Sequence, residues 1–468
     1  MTTTPATPDE PVPTDATGSA EQPQGTASTA PPPPAPPERG RLYGYRALKH
    51  TGFRIYFVGM LFRGASMWMP LVAIPWLAVE LGASPAQIGI VTGFFFVPTL
   101  FVGPMGGVLA DRVNRRNAMI ASQVFATLLT LALFALVLAG VQSLPLLMAF
   151  SFGFGLLIAV EVPIRQAFMT ELIPRADLSS ATSLHATAWN LTRLLGPLVA
   201  GALIASFGSA SPFLVSGIAS ALVAVSFVWM DRYRRPGRGR SDSHGTILGD
   251  LREGIGFVAR NPVVRLSLFA IFTAATFGMA TFTTLAPLYA TEELGLGADG
   301  YGAFLGAAGA GAFVAALVVT TFARGDRRNW IIGGMLSIAA LVALVAVAQS
   351  PTIVYIFAFG LGAAQISLGQ NALVSVHGAT PDELRGRVIG VWVMAFQAAS
   401  LIGAFLAGVV ADMVGVRTAM LAGALVLAVI GLAATVVIRR ADWSMASAKP
   451  AAPTATATSA ASTSASSS

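Results

Sequence analysis

The fold is decided by residues 86–141, AQIGIVTGFFFVPTLFVGPMGGVLADRVNRRNAMIASQVFATLLTLALFALVLAGV, which hold two long apolar runs around a short charged loop. Residues 86–110 and 117–141 contain no charged side chain, and the charges lie between them in DRVNRR. A hydrocarbon core of about 30 Å requires about 20 helical residues. Each run is therefore long enough to cross a membrane as a helix.

Similar uncharged runs continue along the whole chain. Of its 468 residues, 54% are hydrophobic and only 11% are charged, whereas soluble domains contain about 25% charged residues. An ordinary water-soluble enzyme is thereby excluded. We predict an all-α membrane protein with twelve transmembrane helices in two pseudo-symmetric six-helix bundles. The predicted spans are residues 54–81, 86–110, 117–141, 144–170, 180–206, 212–230, 263–290, 300–323, 330–349, 352–376, 387–411 and 418–438.

Arginine is distributed unevenly between the predicted loops. The net charge of +7 arises almost entirely on one side of the bundle, and Arg417 is the only basic residue in the loops of the other side. Cytoplasmic loops of membrane proteins are enriched in Lys and Arg. We therefore predict a multi-pass protein of the inner or plasma membrane with both termini in the cytoplasm.

The segments outside the apolar runs have other compositions. Both ends of the chain are rich in Pro, Ala, Ser and Thr, which predicts disordered tails. In the long central loop, Leu248–Ala259 places apolar residues on one helical face and charges opposite, which predicts a surface helix. The predicted organisation is an N-terminal tail (1–45), an N-terminal six-helix half (46–231), a cytoplasmic linker with the surface helix (232–262), a C-terminal six-helix half (263–440) and a C-terminal tail (441–468).

An internal repeat relates the two halves. The pattern Arg112–Asn117 (RVNRRN) after span 2 returns as Arg324–Asn329 (RGDRRN) after span 8. Spans 5 and 11 match with an offset of 207 residues, since this interval separates the members of five pairs. These pairs are Pro174 and Pro381, Gly196 and Gly403, Ala200 and Ala407, Gly201 and Gly408, and Gly208 and Gly415.

Two related halves with both termini inside are the plan of transporters that alternate access to a central site. The segment Gly103–Arg116 (GPMGGVLADRVNRR) resembles the signature between helices 2 and 3 of the major facilitator superfamily. The resemblance implies a latch that holds the cytoplasmic side in one conformation; a solvated basic loop is the plainer interpretation. Ala323 stands where a second copy would have Asp111. The latch residues are Gly107, Asp111, Arg112, Arg115 and Arg116.

Span 5 carries a second motif. The segment Asn190–Gly201 (NLTRLLGPLVAG) resembles, in part, the fifth-helix motif of proton-coupled exporters. Together with Pro163–Ala167 (PIRQA), Glu171–Pro174 (ELIP) and Pro381–Arg387 (PDELRGR), it makes the chain resemble most the branch that holds drug and macrolide efflux proteins and enterobactin-type exporters. Simple bending and packing of the helix is the alternative. The motif residues are Arg193, Gly196, Pro197, Ala200 and Gly201.

Charges inside the bilayer are few, and a charge at that depth usually faces the protein interior or a wet cavity. Glu161 is the only acid deep in a predicted span, and we interpret it as a candidate proton carrier with Asp111 as its rival. Its spacing of four from Arg165 equally predicts an ion pair along one helix. Arg63 and Arg193 either bind an anionic substrate or balance Glu161.

A central substrate cavity should combine these charges with neutral polar groups. Its apolar wall, unless these side chains serve lipid-facing packing instead, should come from Met60, Met67, Trp68, Met69, Phe94, Phe95 and Phe96. The predicted cavity residues are Arg63, Glu161, Asn190, Arg193, Gln365, Gln370 and Gln397.

The sequence lacks the residues that other classes of function require. The phosphate-binding loop of an ATPase requires Gly-Lys-Ser/Thr, and the two lysines, Lys49 and Lys449, stand before His and Pro. With no cysteine and no metal-ligand spacing among the histidines, we predict no enzyme, no metal and no cofactor. We predict a monomeric secondary transporter that binds a small molecule and the lipid bilayer, not nucleic acid. Proton-coupled export of an amphipathic compound is favoured, and uptake or facilitated diffusion of a nutrient is the alternative.

Overall fold

The computed structural model describes residues 43–103, 113–233, 247–322 and 326–440, and within these ranges the chain is helical without a strand. Twelve helices of the described ranges are long and apolar enough to cross a membrane, which confirms the predicted class and number of spans. The spanning helices are α1 (Thr51–Glu80), α2 (Pro85–Val102), α3 (Arg115–Leu138), α4 (Leu144–Leu172), α5 (Leu178–Phe207), α6 (Ser211–Met230), α7 (Pro262–Glu293), α8 (Ala298–Phe322), α9 (Arg327–Val347), α10 (Pro351–Ala379), α11 (Arg385–Val414) and α12 (Val416–Arg440).

Four shorter helices flank these spans. They are Tyr43–Lys49, Arg175–Asp177, Asp231–Tyr233 and Ile247–Arg260. We name Ile247–Arg260 the linker helix; it covers the segment in which the sequence predicts a surface helix. Arg387 at the start of α11 donates to Asp250 over 2.7 Å and pairs with Glu253 over 2.7 Å. These contacts dock the linker helix on the C-terminal six helices.

Local chemistry sets the ends of the helices. The hydroxyl of Ser84 accepts from the N–H of Gln87, whose side chain accepts from the N–H of Ser84, and Pro85 occupies the first turn of α2. Gly208 and Gly415 end α5 and α11 with φ values of 81° and 85°. Only glycine adopts this left-handed conformation at no steric cost. The repeat therefore extends to the backbone conformation of two helix ends.

The helix α7 differs from the regular span that its apolar pattern predicts. Ala275–Ala280 and Tyr289–Glu293 are π-helical, and α-helical turns lie before and between them. A hydropathy pattern records the polarity of the side chains and carries no information about the wider turn of a π-helix. The sequence pattern therefore does not reveal these segments. Such segments occur frequently at functional sites, and Met279 and Ala280 of the first one line the cavity described below.

The packing pattern repeats between the halves. In the N-terminal half, α1 packs against α5 and α6, α2 against α4, and α3 against α6. In the C-terminal half, α7 packs against α11 and α12, α8 against α10, and α9 against α12. Each contact of the first half recurs with six added to both helix numbers. This confirms the two pseudo-symmetric six-helix bundles.

Consecutive helices run in opposite directions, so the even number of spans places Thr51 and Arg440 on one face of the bundle. We call this the terminal face and the other the opposite face. On the terminal face the short helix Tyr43–Lys49 is held by Asp177, which lies 3.2 Å from Arg46 and 2.9 Å from His50. On the opposite face Arg417 pairs with Glu293 over 2.8 Å.

Candidate functional site

Two helix crossings join the halves near the opposite face. The helix α5 crosses α8 where Gly201 meets Gly302, and α2 crosses α11 where Gly89 meets Gly408. A Cβ atom at Gly201 would lie 2.8 Å from the Cα of Gly302, and one at Gly408 would lie 3.0 Å from the Cα of Gly89. The two crossings are related by the repeat, since Gly201 and Gly408 are 207 residues apart. Both crossings therefore bring the two halves into close contact near this face.

A cavity of about 400 Å³ lies between the halves. On α2 and α8, the lining residues come after the crossing glycine in the sequence, with Tyr301 as the exception. On α5 and α11, the lining residues come before the crossing glycine. The cavity therefore lies on the terminal side of both crossings. Principal lining residues are Thr92, Phe95 and Phe96 of α2, Trp189, Arg193 and Pro197 of α5, Leu305, Ala308 and Gly309 of α8, and Phe396, Gln397 and Ser400 of α11.

The wall of the cavity is mostly apolar and aromatic. Met67 and Trp68 of α1 and Phe95 and Phe96 of α2 line it, as the apolar-wall interpretation requires, whereas Met60, Met69 and Phe94 are not among the lining residues. Toward the opposite face, Tyr301 of α8 stacks on Trp76 of α1 with 5.7 Å between ring centroids. Such a wall suits a ligand with a large apolar body, since binding removes both surfaces from water.

Polar groups in the cavity come from both halves. Arg193 donates from Nη2 to Oε1 of Gln365 over 3.2 Å, which links α5 to α10 across the cavity. Gln397 and Ser400 of α11 also line it. Ser400 stands at the repeat position of Arg193, so the two halves present a cation and a hydroxyl at equivalent places.

Of the seven predicted cavity residues, the structure places Arg193, Gln365 and Gln397 in the lining, and four lie elsewhere. Gln370 lies five residues from Gln365, which at 3.6 residues per turn turns its side chain about 140° away. The amide of Asn190 donates to the carbonyl of Ala186 on its own helix over 2.9 Å. Correcting the sequence-based expectation, Arg63 and Glu161 lie inside the N-terminal half.

Arg63 and Glu161 form a buried ion pair. Nε of Arg63 lies 2.7 and 2.8 Å from the two carboxylate oxygens of Glu161, and Nη2 lies 2.6 Å from Oε2. The two residues are only 3% and 1% exposed. Arg165, the partner predicted from helical spacing, approaches the same carboxylate at 3.7 Å and is therefore the weaker partner. We call Arg63, Glu161 and Arg165 the charge cluster.

Trp189 connects the charge cluster to the cavity. The guanidinium carbon of Arg165 lies 5.3 Å from the centre of the Trp189 ring, within the range of a cation–π contact. Trp189 also lines the cavity. Sequence reasoning missed this residue, although Trp189, Arg193 and Pro197 are spaced by four and therefore share one helical face.

The fifth-helix motif contributes to both packing and lining. Gly201 forms a crossing, Gly196 contacts Trp68, and Ala200 is fully buried. Arg193 and Pro197 line the cavity. The motif therefore packs helices together and also supplies two side chains to the cavity lining.

The predicted latch is described only in part. Gly107, Asp111 and Arg112 lie outside the described residues. Arg115 pairs with Glu171 over 3.0 Å, and Arg116 donates to the carbonyl of Phe227 over 3.4 Å. Both arginines thus bind other helices of the N-terminal half on the terminal face.

No group of three or more His, Asp or Glu side chains suited to a metal ion occurs in the described ranges. Two related six-helix halves around a central cavity have the architecture of a secondary transporter. Over residues 43–462 the chain matches the family described as transmembrane secretion effector. It therefore belongs to this family of the major facilitator superfamily.

Similar proteins agree with this assignment. The MFS-type transporter YfiS of Bacillus subtilis is 26% identical over 78% of this chain and 88% of its own. The multidrug efflux pump Tap of Mycolicibacterium fortuitum is 26% identical over 82% of this chain and 95% of its own. A solved bacterial homologue of the lysosomal transporter Spinster, inward-facing and occupied, has the same fold, with a TM-score of 0.67, 16% identity, and coverage of 87% of this chain and 99% of that one.

Proposed function

We propose that this transporter exports amphipathic small molecules in exchange for protons by alternating access. The observation that carries the proposal is the apolar cavity of about 400 Å³ between two related halves, which the repeat-related glycine crossings join near one face. Rocking of the halves would part these crossings and expose the cavity to the other side. The efflux pump Tap supports the direction of transport, since it is similar over most of both chains.

The proposed topology follows from the charges. The arginine-rich loops belong to the terminal face, which the positive-inside rule assigns to the cytoplasm. In the proposed cycle the cavity is therefore accessible from the cytoplasm in this conformation and collects its ligand there. The membrane is accordingly the inner or plasma membrane, and the chain acts as a monomer.

Glu161 is the proposed proton carrier. In this conformation Arg63 and Arg165 hold its carboxylate as the ionised form, which corresponds to the step after a proton has left. Protonation after the halves have rocked would release both arginines, and the contact of Arg165 with Trp189 would transmit that change to the cavity wall. One proton falling through 100 mV supplies about 2.3 kcal/mol, enough for roughly a 50-fold gradient of a neutral solute. No cofactor takes part, because the proton gradient is the energy source.

Transport into everted membrane vesicles tests this proposal. Fluorescent amphiphiles should accumulate in vesicles with an acidic interior, and a protonophore should collapse the gradient. Vesicles that contain the Glu161→Gln variant serve as the control. Mere equilibration would support facilitated diffusion, and accumulation only in right-side-out vesicles would support uptake; either result contradicts proton-coupled export.

A latch at Asp111 makes a separate kinetic prediction. Replacement of Asp111 by Asn should reduce the turnover rate several-fold and leave the apparent affinity for the substrate nearly unchanged, because a latch acts on the rocking step and not on the cavity. Initial rates over a range of substrate concentrations separate the two effects. An unchanged turnover rate would rule out the latch.

A further inference from the structure

Arg193 is the one charged side chain among the described residues that line the cavity. It lies near the middle of α5, at membrane depth. Its contact across the cavity is the neutral amide oxygen of Gln365, at 3.2 Å. Arg193 forms no ion pair with any acid in the described part of the chain, whereas Arg63 and Arg165 share Glu161.

An arginine in this position is incompletely satisfied. A guanidinium has five N–H donors in a planar fork that matches a carboxylate or phosphate. Gln365 accepts from one of them, and neither Gln365 nor the other polar lining groups, such as Gln397 and Ser400, carry a negative charge. A charge at membrane depth usually faces the protein interior or a wet cavity, as Arg193 does here, and pairs with another charge or with backbone carbonyls. An anionic group on a molecule that enters the cavity would provide the charge partner that the described lining residues do not.

The surroundings of Arg193 define the rest of that molecule. Trp189 and Pro197 precede and follow it on the same face of α5, and aromatic rings of α2 and α11 complete the wall. These surfaces favour an aromatic or alkyl body next to the anionic group. A cationic amphiphile of equal size would bury its charge beside Arg193 without a described acid to compensate it.

We propose that the cavity selects amphipathic anions: molecules with one carboxylate, or a comparable oxyanion, attached to an aromatic or alkyl body. This inference rests on the proposed function and names its substrate class. The oxyanion binds Arg193 in the fork geometry and displaces Gln365 from it, and the apolar body lies between the two halves. Arg193 is thus the residue that determines specificity for charge.

Three fluorescent probes with one apolar body test the proposal: pyrenebutyrate, pyrenebutanol and pyrenebutylamine, titrated against the purified, detergent-solubilised full chain. Pyrenebutyrate should bind at least tenfold more tightly than the alcohol, since bonds to a charged group contribute on this scale, and the amine should bind most weakly. Equal or tighter binding of the alcohol or the amine would overturn the charge selectivity and leave the amphipathic cavity intact. Binding of none of the three would overturn the cavity as a binding site, and with it the proposed function.

Variants assign the selectivity to Arg193. In Arg193→Gln the preference for pyrenebutyrate over pyrenebutanol should fall to about onefold, while the affinity for the alcohol is retained. In the double variant Arg193→Gln/Ser400→Arg, which moves the cation to the repeat-related position in the same cavity, the preference should return. Because this second variant restores the charge, its result separates loss of charge from loss of folding. An unchanged preference in Arg193→Gln would overturn the role of this residue.

Discussion

Replacement of Glu161 by glutamine is expected to abolish proton-driven accumulation and to lower the free energy of unfolding by about 3–5 kcal/mol, the range observed when one partner of a buried ion pair is removed. Arg63 and Arg165 are 3% and 4% exposed, so the substitution would leave two buried cations without their shared carboxylate. It would also remove the only carboxyl group in the cluster that takes up a proton. Vesicle transport and thermal unfolding in detergent measure the two effects.

A compensated variant separates coupling from stability. The native charge cluster has two arginines and one glutamate, and therefore a net charge of one positive unit. In Arg63→Gln/Glu161→Gln only Arg165 remains charged, so the net charge of the cluster is unchanged. We therefore expect stability to recover largely and substrate exchange at equal pH to persist, while proton-driven accumulation remains absent. Proton-driven accumulation by either variant would contradict the assignment of Glu161 as the carrier.

Replacement of Gly201 by leucine should have the second large effect, a loss of transport of at least tenfold. The added Cβ would lie 2.5 Å from the carbonyl oxygen of Ala298 and 2.8 Å from the Cα of Gly302. Overpacking of this kind costs about 1–3 kcal/mol. In the proposed cycle the crossing forms only when the opposite face is closed, so the cost falls on this conformation and shifts the population toward the one in which that face is open.

Accessibility of a single cysteine measures this shift. The native chain has no cysteine, so Thr283→Cys introduces one thiol at a position that lines the cavity. A membrane-impermeant maleimide should label it from the terminal face in the parent and from the opposite face when Gly201→Leu is added. Gly408→Leu should act in the same way, and Gly333→Leu is the control, since a Cβ at Gly333 meets nothing within 4 Å. Labelling from the terminal face in all variants would show that the crossing does not gate access.

Local patterns in the chain were sufficient for the fold. The number of spans follows from the length of uncharged runs, because a helix must bury its backbone polar groups across the whole hydrocarbon core. The relation between the halves follows from the 207-residue offset, which the structure repeats in the end conformations of α5 and α11. The apolar wall around Trp68 and the location of Arg193 were also within reach of the sequence, since helical spacing places residues on faces.

The contact partners of these residues could not be predicted from the sequence, because they depend on packing between segments that are far apart in the chain. Helical spacing identified Arg165 as the candidate partner of Glu161, and the structure adds a closer one, Arg63, which is 98 residues away. The rotation of α10 about its axis places Gln365 in the lining of the cavity and Gln370 outside it. Neither the rotation nor the crossing partner is encoded by residue spacing within one span.

By itself, then, the sequence determined that this is a twelve-span, two-half membrane protein, because bilayer thickness and charge act on each segment separately. Tertiary structure alone decided near which face the two halves cross closely, where Glu161 lies and which side chains share the cavity with Arg193. Gly201 meets Gly302, and Gly89 meets Gly408, only after separate helices have packed. The physical reason is that close packing is a property of pairs of surfaces, and a single segment contains only one surface of each pair.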